Sequence, residues 1–321
     1  MVTLGEAVVD FTYSLTEDGI FYKQNPGGSP ANIAAAAKIL GIPSAYIGKI
    51  GTGVFGSFLY ETLLSIGIDT SGIIQDKDRL TALAFIKPSP SGKRDFTFYR
   101  ENSADKNLRF SEINLHLIDT CKILHFGALL LESEPSRSAV TNTVEYAKEK
   151  GKIISYSLNF RQSLWSDTDT AASVMRTVLS YVDILKVSED ELELLSDSSN
   201  LLPSIYKLMK FGIKVIIVTQ GAKGCVIATK KGIREVRSFK TPIVDTLGSG
   251  DSFMGAFLTK ISKNPSVLDG EDADSDANAL TDFALYANAA GAVCASRVGA
   301  IPAMPTDDEI LRCIADNPVL Y

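Results

Sequence analysis

Residues 244–252, Val-Asp-Thr-Leu-Gly-Ser-Gly-Asp-Ser, combine types and spacing that could do chemistry. Gly248, Ser249 and Gly250 let the backbone turn tightly and bring several N–H groups to one side. An apolar helical pattern, Phe253, Phe257, Leu258 and Ile261, begins directly afterwards. A helix opening there adds unpaired amides and the positive end of its dipole, and together these cradle an anion such as a phosphate. Asp251 lies inside the cradle, where its charge opposes that of the anion. An acid tolerated at such a place is suited to taking a proton rather than balancing charge. The alternative is a glycine-rich loop followed by an ordinary first-turn acid.

A second stretch, residues 25–32 (Asn-Pro-Gly-Gly-Ser-Pro-Ala-Asn), suits binding. Gly27 and Gly28 let the backbone close on a ligand, and Asn32 offers an amide that both donates and accepts, as a polyol requires. A structural turn explains the glycines equally well but leaves Asn32 unaccounted for. Gly51-Thr-Gly53-Val-Phe-Gly56 matches the dinucleotide pattern G-x-G-x-x-G, with Asp76 twenty residues on as a ribose-binding acid. Two points oppose that reading: this is not the first strand–helix unit, and Asp76 falls in the polar run 75–79 rather than at a strand end. No G-x-x-x-x-G-K-[ST] sequence is present, which excludes a P-loop.

The elements that must position these residues follow from periodicity and punctuation. Residues 1–11 read as one strand running into Asp10. Asp18-Gly19 turns a hairpin between 11–15 and 20–23, and residues 25–28 read as a hinge-like loop. Ser29 is the expected N-cap of a helix over 30–40, with Pro30 in its first turn and Gly41 ending it. The alanines 34–37 predict very close packing of that helix. A strand over 44–50 and a helix over 55–65 precede a second hairpin, 82–87 with 94–100, turning at 88–92. From residue 122 strands (122–127, 152–158, 183–187, 214–219) alternate with helices (135–150, 171–181, 202–211). Two more strands follow at 224–229 and 233–239. Ser188–Glu191 and Thr306–Glu309 are capping boxes. Residues 264–276 read as an acidic surface loop before a helix over 277–296. The pattern predicts an α/β fold: a doubly wound, mostly parallel sheet with helices on both faces, ligands at the carboxyl ends of its strands, and a small separate β-sheet.

Composition bounds the function. With 321 residues, 45% hydrophobic and 22% charged, the chain is an ordinary globular protein. Its net charge of −6 offers no electrostatic case for nucleic acid or an anionic membrane. Cys121, Cys225, Cys294 and Cys313 have no metal-ligand or paired spacing, so they read as buried thiols in a reducing compartment. His125, within an apolar run, reads as a core residue. No apolar run reaches membrane-spanning length, and the expectation is a cytoplasmic protein.

With both stretches in view, the chain resembles the ribokinase-like sugar kinases, and among them the bacterial-type fructokinases. The resemblance rests on Gly27-Gly28 through Asn32 and on Asp245-Thr-Leu-Gly-Ser-Gly-Asp251. It is supported by Gly5-Glu-Ala-Val-Val-Asp10, Ser103-Ala-Asp105, His125-Phe-Gly127 and Lys186-Val-Ser-Glu-Asp-Glu191, and covers nearly the whole chain. It implies a single kinase domain over 1–321 with a lid formed by about 11–24 and 81–100, and ATP-dependent phosphorylation of D-fructose at its 6-hydroxyl. Asp251 is then the general base, and Gly248, Ser249 and Gly250 the anion hole. The sugar falls to Asp10, Gly27, Gly28, Asn32, Phe98, Arg100, Asn159 and Arg161. ATP falls to Lys186, Glu189, Thr219, Gly221, Gly224, Gly248, Gly250, Asn288 and Ala292. Mg2+ rides on the ATP phosphates, held through water by Glu189; K+ is implied beside Asp245, Leu247, Cys294, Arg297 and Gly299. Two positions depart from the family pattern: Lys186 stands where Asn is usual, and Ser157 where Asp is common. A homodimer joined through the lids is also implied. The alternatives are another kinase of the family, for 2-keto-3-deoxygluconate or ribose, and a catalytically inactive sugar-binding regulator.

Overall fold

Apolar β-branched runs and capped helices sort the chain into two sheets. The computed structural model describes residues 1–88, 94–269 and 273–317. In chain order the strands are β1 (Val2–Leu4), β2 (Val8–Thr16), β3 (Gly19–Gly27), β4 (Ala45–Gly51), β5 (Asp69–Asp76), β6 (Leu83–Pro88) and β7 (Arg94–Tyr99). They continue as β8 (Ile123–Gly127), β9 (Ile153–Ser157), β10 (Ile184–Ser188), β11 (Val215–Thr219), β12 (Gly224–Thr229) and β13 (Gly232–Arg237). The α-helices are α1 (Ser29–Ile39), α2 (Val54–Ile66), α3 (Leu115–Thr120), α4 (Ser136–Glu149) and α5 (Thr168–Arg176). They continue as α6 (Glu189–Ser196), α7 (Leu201–Met209), α8 (Ser249–Lys263), α9 (Ala273–Ala295) and α10 (Asp307–Asp316).

The large sheet has the order β13-β12-β11-β10-β9-β8-β1-β4-β5. It is parallel from β11 to β5, with β12 and β13 antiparallel at one edge. Alternate strand residues enter different cores, as a sheet covered on both faces requires. Leu185 and Val187 pack with apolar residues of α3 to α7, whereas Ile184 packs with those of α1, α8, α9 and α10. The expected doubly wound sheet is therefore present. α1 lies tightly on α8, because Gly255 leaves room for Ala36 where a Cβ would collide with it. A larger residue at 255 would force the two helices apart, at a cost of about 1–3 kcal/mol.

The first eleven residues do not make one strand. β1 ends at Leu4, Gly5 lies against the Pro30 ring with no room for a side chain, and the chain turns through Glu6 and Ala7 into β2 of the other sheet. That smaller sheet has the order β3-β2-β6-β7: two hairpins joined by parallel pairing of β2 with β6. Its strands run over residues 8–27 and 83–99, wider at the first hairpin than 11–24. Residues 25–27, expected as a loop, are the end of β3. The turn of the second hairpin beyond Pro88 lies outside the described residues. Period-two alternation puts Phe11, Phe85 and Tyr99 on one face, with the Phe85 ring touching the other two, and Asp10, Ala84 and Phe98 on the other.

Three further expectations change. Asp76 does end a strand, β5, but at the sheet edge, where its buried carboxylate meets Lys49 at 3.3 Å and Arg79 at 3.4 Å. Gly56 abuts the Gly51 carbonyl and Gly51 the Arg79 carbonyl, so these two of the dinucleotide-like glycines serve packing, whereas a side chain at Gly53 would meet open space. The stretch 264–276 is not all loop: a 3-10 turn over Pro265–Leu268 buries Val267 and Leu268, and α9 begins at Ala273. The two capping boxes form as expected. His125 is fully buried beside Ser155, and burial, with the charge of Lys186, lowers its pKa to about 3. All four cysteines are buried and free. No described helix is long and apolar enough to cross a membrane.

Candidate active site

A cleft of about 590 Å³ opens at the carboxyl ends of the parallel strands, as expected for such a sheet. Its wall includes Glu6, Asp10, Gly28, Ser29, Asn32, Phe96, Phe98, Asn159, Arg161, Lys186, Gly248, Gly250 and Asp251. A second cavity of about 470 Å³ takes in Thr219, Gly221, Gly224, Asn288, Gly291 and Ala292. The two cavities share Thr246 and Gly250. The N-terminus of α8 therefore stands between them, with Asp251 facing the first.

Gly248 is the N-cap of α8, with φ 76°, a region that favours glycine; a Cβ there would lie 2.7 Å from Ala300 Cα. No side chain caps the helix start. Of the expected anion-hole amides, that of Ser249 turns onto the Thr246 carbonyl at 3.3 Å. Its hydroxyl donates to Gly291 O of α9 at 3.0 Å. Gly250 leaves the helix start open toward Lys186, whose Nζ lies 3.5 Å from where a Cβ would be. A lysine at this point adds charge to that of the helix dipole.

Asp251 is held from across the cleft by α1. Ser29 Oγ donates to Oδ1 at 2.6 Å and Asn32 Nδ2 to Oδ2 at 2.8 Å. Enclosure raises its pKa, while these two bonds and the charges of Lys186 and Arg161 work in the opposite direction. The rise strengthens the carboxylate as a proton acceptor. Ser29 thus has a different task from the expected one. The N-cap is Gly28, at φ 100°, and Ser29 is the first helical residue, its hydroxyl spent on Asp251. Its amide donates to Glu6 Oε1 at 3.0 Å. Sequence reasoning missed both Ser29 as a partner of Asp251 and Glu6 as a neighbour of the site. The available signal was the place of Ser29 in the stretch 25–32 and of Glu6 in Gly5-Glu-Ala-Val-Val-Asp10. Glu6 is buried, its Oε2 has no hydrogen-bond partner among the described residues, and burial raises its pKa to about 7.

On the first cavity's far side, Arg161 lies over the Phe96 ring, 5.0 Å from its centroid. Asn159 precedes it with φ 48°, and the Phe160 amide is fixed by Glu191 at 2.8 Å. Two expected sugar ligands are not in the cleft wall. Arg100 is buried behind it, bonded to Asp105 at 2.7 Å, Glu132 at 3.3 Å and the Leu129 carbonyl at 3.2 Å. A guanidinium with that many partners is a structural anchor. Gly27 serves Asp10: a Cβ there would collide with the Asp10 carboxyl.

The nucleotide-side residues divide likewise. Thr219, Gly221, Gly224, Asn288 and Ala292 line the second cavity, where Asn288 Nδ2 donates to Val236 O at 2.9 Å. Glu189 lies outside both walls, exposed at the start of α6, accepting from Gln220 at 2.8 Å. Among the described residues no cluster of three or more His, Cys, Asp or Glu could hold a metal. A single exposed carboxylate nevertheless suits Mg2+, which keeps most of its waters and leans on substrate phosphates. Asp245 is buried and accepts from the amides of Leu247 at 2.6 Å and Gly299 at 3.0 Å. The carbonyls of Leu247 and Cys294 accept from Cys294 Sγ and from the Arg297 amide, and the Arg297 side chain pairs with Glu309.

Comparison with known proteins bears on this arrangement. The model of the pfkB family of carbohydrate kinases matches residues 1–307. The chain is 40% identical to a probable fructokinase-3 of Arabidopsis thaliana, over 99% of this chain and 92% of that one. In structure it is similar to a fructokinase from Xylella fastidiosa with bound ATP, with a TM-score of 0.91, 28% identity and 98% of each chain covered. A fructokinase from Vibrio cholerae O395, in a form binding fructose, ADP and calcium ion, gives a TM-score of 0.87 at 29% identity, covering 97% of this chain and 98% of that one. With two cavities meeting at a glycine-opened helix and a family match across both, the chain belongs to the pfkB family of carbohydrate kinases.

Proposed function

We propose that this protein transfers the γ-phosphoryl group of ATP to the 6-hydroxyl of D-fructose. The observation that carries this reading is Gly250, shared by the walls of both cavities, with the Asp251 carboxylate one residue on. Fructose lies in the first cavity, its hydroxyls met by Asp10, Asn32 and Arg161, its 6-hydroxyl directed at Asp251. ATP lies in the second, its base beside Asn288 and Ala292 and its phosphates running past Thr219, Gly221 and Gly224. Asp251 takes the hydroxyl proton as the oxygen bonds to the γ-phosphorus; the bond to the β-phosphate oxygen breaks, giving fructose 6-phosphate and ADP. The α8 amides and Lys186 stabilise the charge that develops on the transferred group. Glu189 would hold Mg2+ through water, and the ion would supply charge neutralisation of the ATP phosphates. The loop around Asp245 is where a monovalent cation would support the anion hole.

The small sheet acts as the lid, carrying Asp10, Phe96 and Phe98 over the sugar so that water is kept from ATP. Leu15, Ile20 and Phe21 on that sheet are more than half exposed, which supports pairing of two copies through it; sedimentation of an Ile20→Lys variant as a monomer checks this. A coupled ADP-release assay across a sugar panel tests the reaction. Turnover with fructose well above that with ribose or 2-keto-3-deoxygluconate is the expected result. Preference for the keto-deoxy acid moves the substrate assignment, and no turnover with any sugar favours a regulator.

A further inference from the structure

The first turn of α1 divides one residue between two acids. The Ser29 hydroxyl donates to Asp251 at 2.6 Å, and its amide donates to Glu6 at 3.0 Å. We propose that Glu6 is a positioning residue for Asp251, acting through Ser29: it holds the first turn of α1 so that the Ser29 hydroxyl stays on the catalytic carboxylate. This rests on the reading of Asp251 as the base.

Three observations carry the inference. The N-cap residue is a glycine with no side chain to cap the helix, the next position after Ser29 is a proline with no N–H, and Ser29 is buried. The Ser29 amide therefore needs an acceptor from elsewhere, and Glu6 provides it from the turn between the two sheets. A serine at a helix start also tends to bond amides two or three residues on. With Glu6 capping from outside, the hydroxyl is free to reach Asp251 instead. Glu6 itself is fixed: Gly28 sits so close to the Glu6 carbonyl that a Cβ there would collide with it. Arg100, bonded to Asp105, gives Glu6 a favourable charge, and Asp105 opposes it. The arginine that does not reach the cleft thus contributes to it indirectly.

The test is steady-state kinetics of the full chain with ATP and fructose for Glu6→Gln, Glu6→Asp, Ser29→Ala, Glu6→Asp/Ser29→Ala and Asp251→Asn. Glu6→Asp keeps the charge but withdraws the carboxylate by one carbon; Glu6→Gln keeps the reach and an acceptor oxygen but not the charge. Glu6→Asp is expected to lower kcat by about 10- to 100-fold, the scale of a misplaced reacting group, with the fructose KM moving less than about threefold. Glu6→Gln is expected to retain at least about fivefold more kcat than Glu6→Asp, and the double variant to be no slower than Ser29→Ala alone, because both act on one contact. Greater activity in Glu6→Asp than in Glu6→Gln, multiplying losses in the double variant, or a raised fructose KM with kcat intact would overturn the proposal alone. Near-normal turnover by Asp251→Asn overturns the base assignment and the proposal with it.

Discussion

The helices that pack against each other at the cleft, α1 and α8, start alike and are used in opposite ways. Each opens on a glycine N-cap with positive φ, 100° at Gly28 and 76° at Gly248, and neither N-cap residue supplies a side-chain capping bond. At α1 the positive end is consumed by a buried acid, Glu6, and the first turn turns its side chains outward to hold Asp251. At α8 the positive end stays open beside Lys186, and the acid that follows faces the first cavity, where the proposed reaction gives it the sugar's proton. An uncapped helix start is therefore not in itself an anion site. What matters is whether another acid of the protein already occupies it.

This contrast can be broken at either end. The largest effect is expected at α8. Gly248→Val puts a β-branched side chain at a φ it rarely adopts and against Ala300, displacing the amides that the proposed reaction assigns to the phosphoryl group. We expect kcat to fall by about 10²- to 10³-fold, the usual cost of losing such a donor, with fructose binding, read by calorimetry, changed much less. Unaltered turnover would show that the cradle tolerates rearrangement.

The next effect is a matter of pH. Burial raises the Glu6 pKa to about 7 from the ordinary 4.5 of a glutamate. For a carboxyl raised in the folded state, folding favours the protonated form, so stability declines as pH rises from about 4.5 to 7 and stays reduced above. Glu6→Gln removes that dependence. Relative to the native chain it is expected to gain roughly 3 kcal/mol at pH 8, and the gain closes by pH 4.5. Denaturant unfolding at the two pH values measures this; a pH-independent difference would place the raised pKa in doubt. The smallest effect is at the α1 glycine. Gly28→Ala meets both the positive φ and the Glu6 carbonyl and is expected to cost about 2 kcal/mol of stability. Its kcat should fall more than its ATP affinity, because Ser29 moves with it.

How much of this was readable in advance depends on whether a residue's task is local. The alternation from residue 122, the first hairpin (its turn at Glu17-Asp18, one residue before the expected Asp18-Gly19), both capping boxes and the core placement of His125 rest on near neighbours in sequence, and the structure has them. The break of residues 1–11 into two strands was not readable, because Pro30 decides it by packing on Gly5. β5 was hidden by its polar end, which ion pairs with Lys49 and Arg79 at the sheet edge. In the site, Asp251 and the glycines around it stood out by type and spacing. Ser29 was misread because serine before a proline is a good N-cap; only the fold reveals an acid 222 positions away that competes for its hydroxyl. Arg100 failed for a like reason: Asp105 and Glu132 already hold its guanidinium.

The central claim is that Asp251, gripped by α1 and standing at the mouth of α8, takes the proton from the sugar. Asp251→Asn preserves size and keeps an acceptor for Ser29 while removing the base. Measured by ADP release with saturating fructose and ATP, its kcat should fall by about 10²- to 10⁴-fold, with ATP binding retained by calorimetry. Near-normal turnover in this variant would contradict the account.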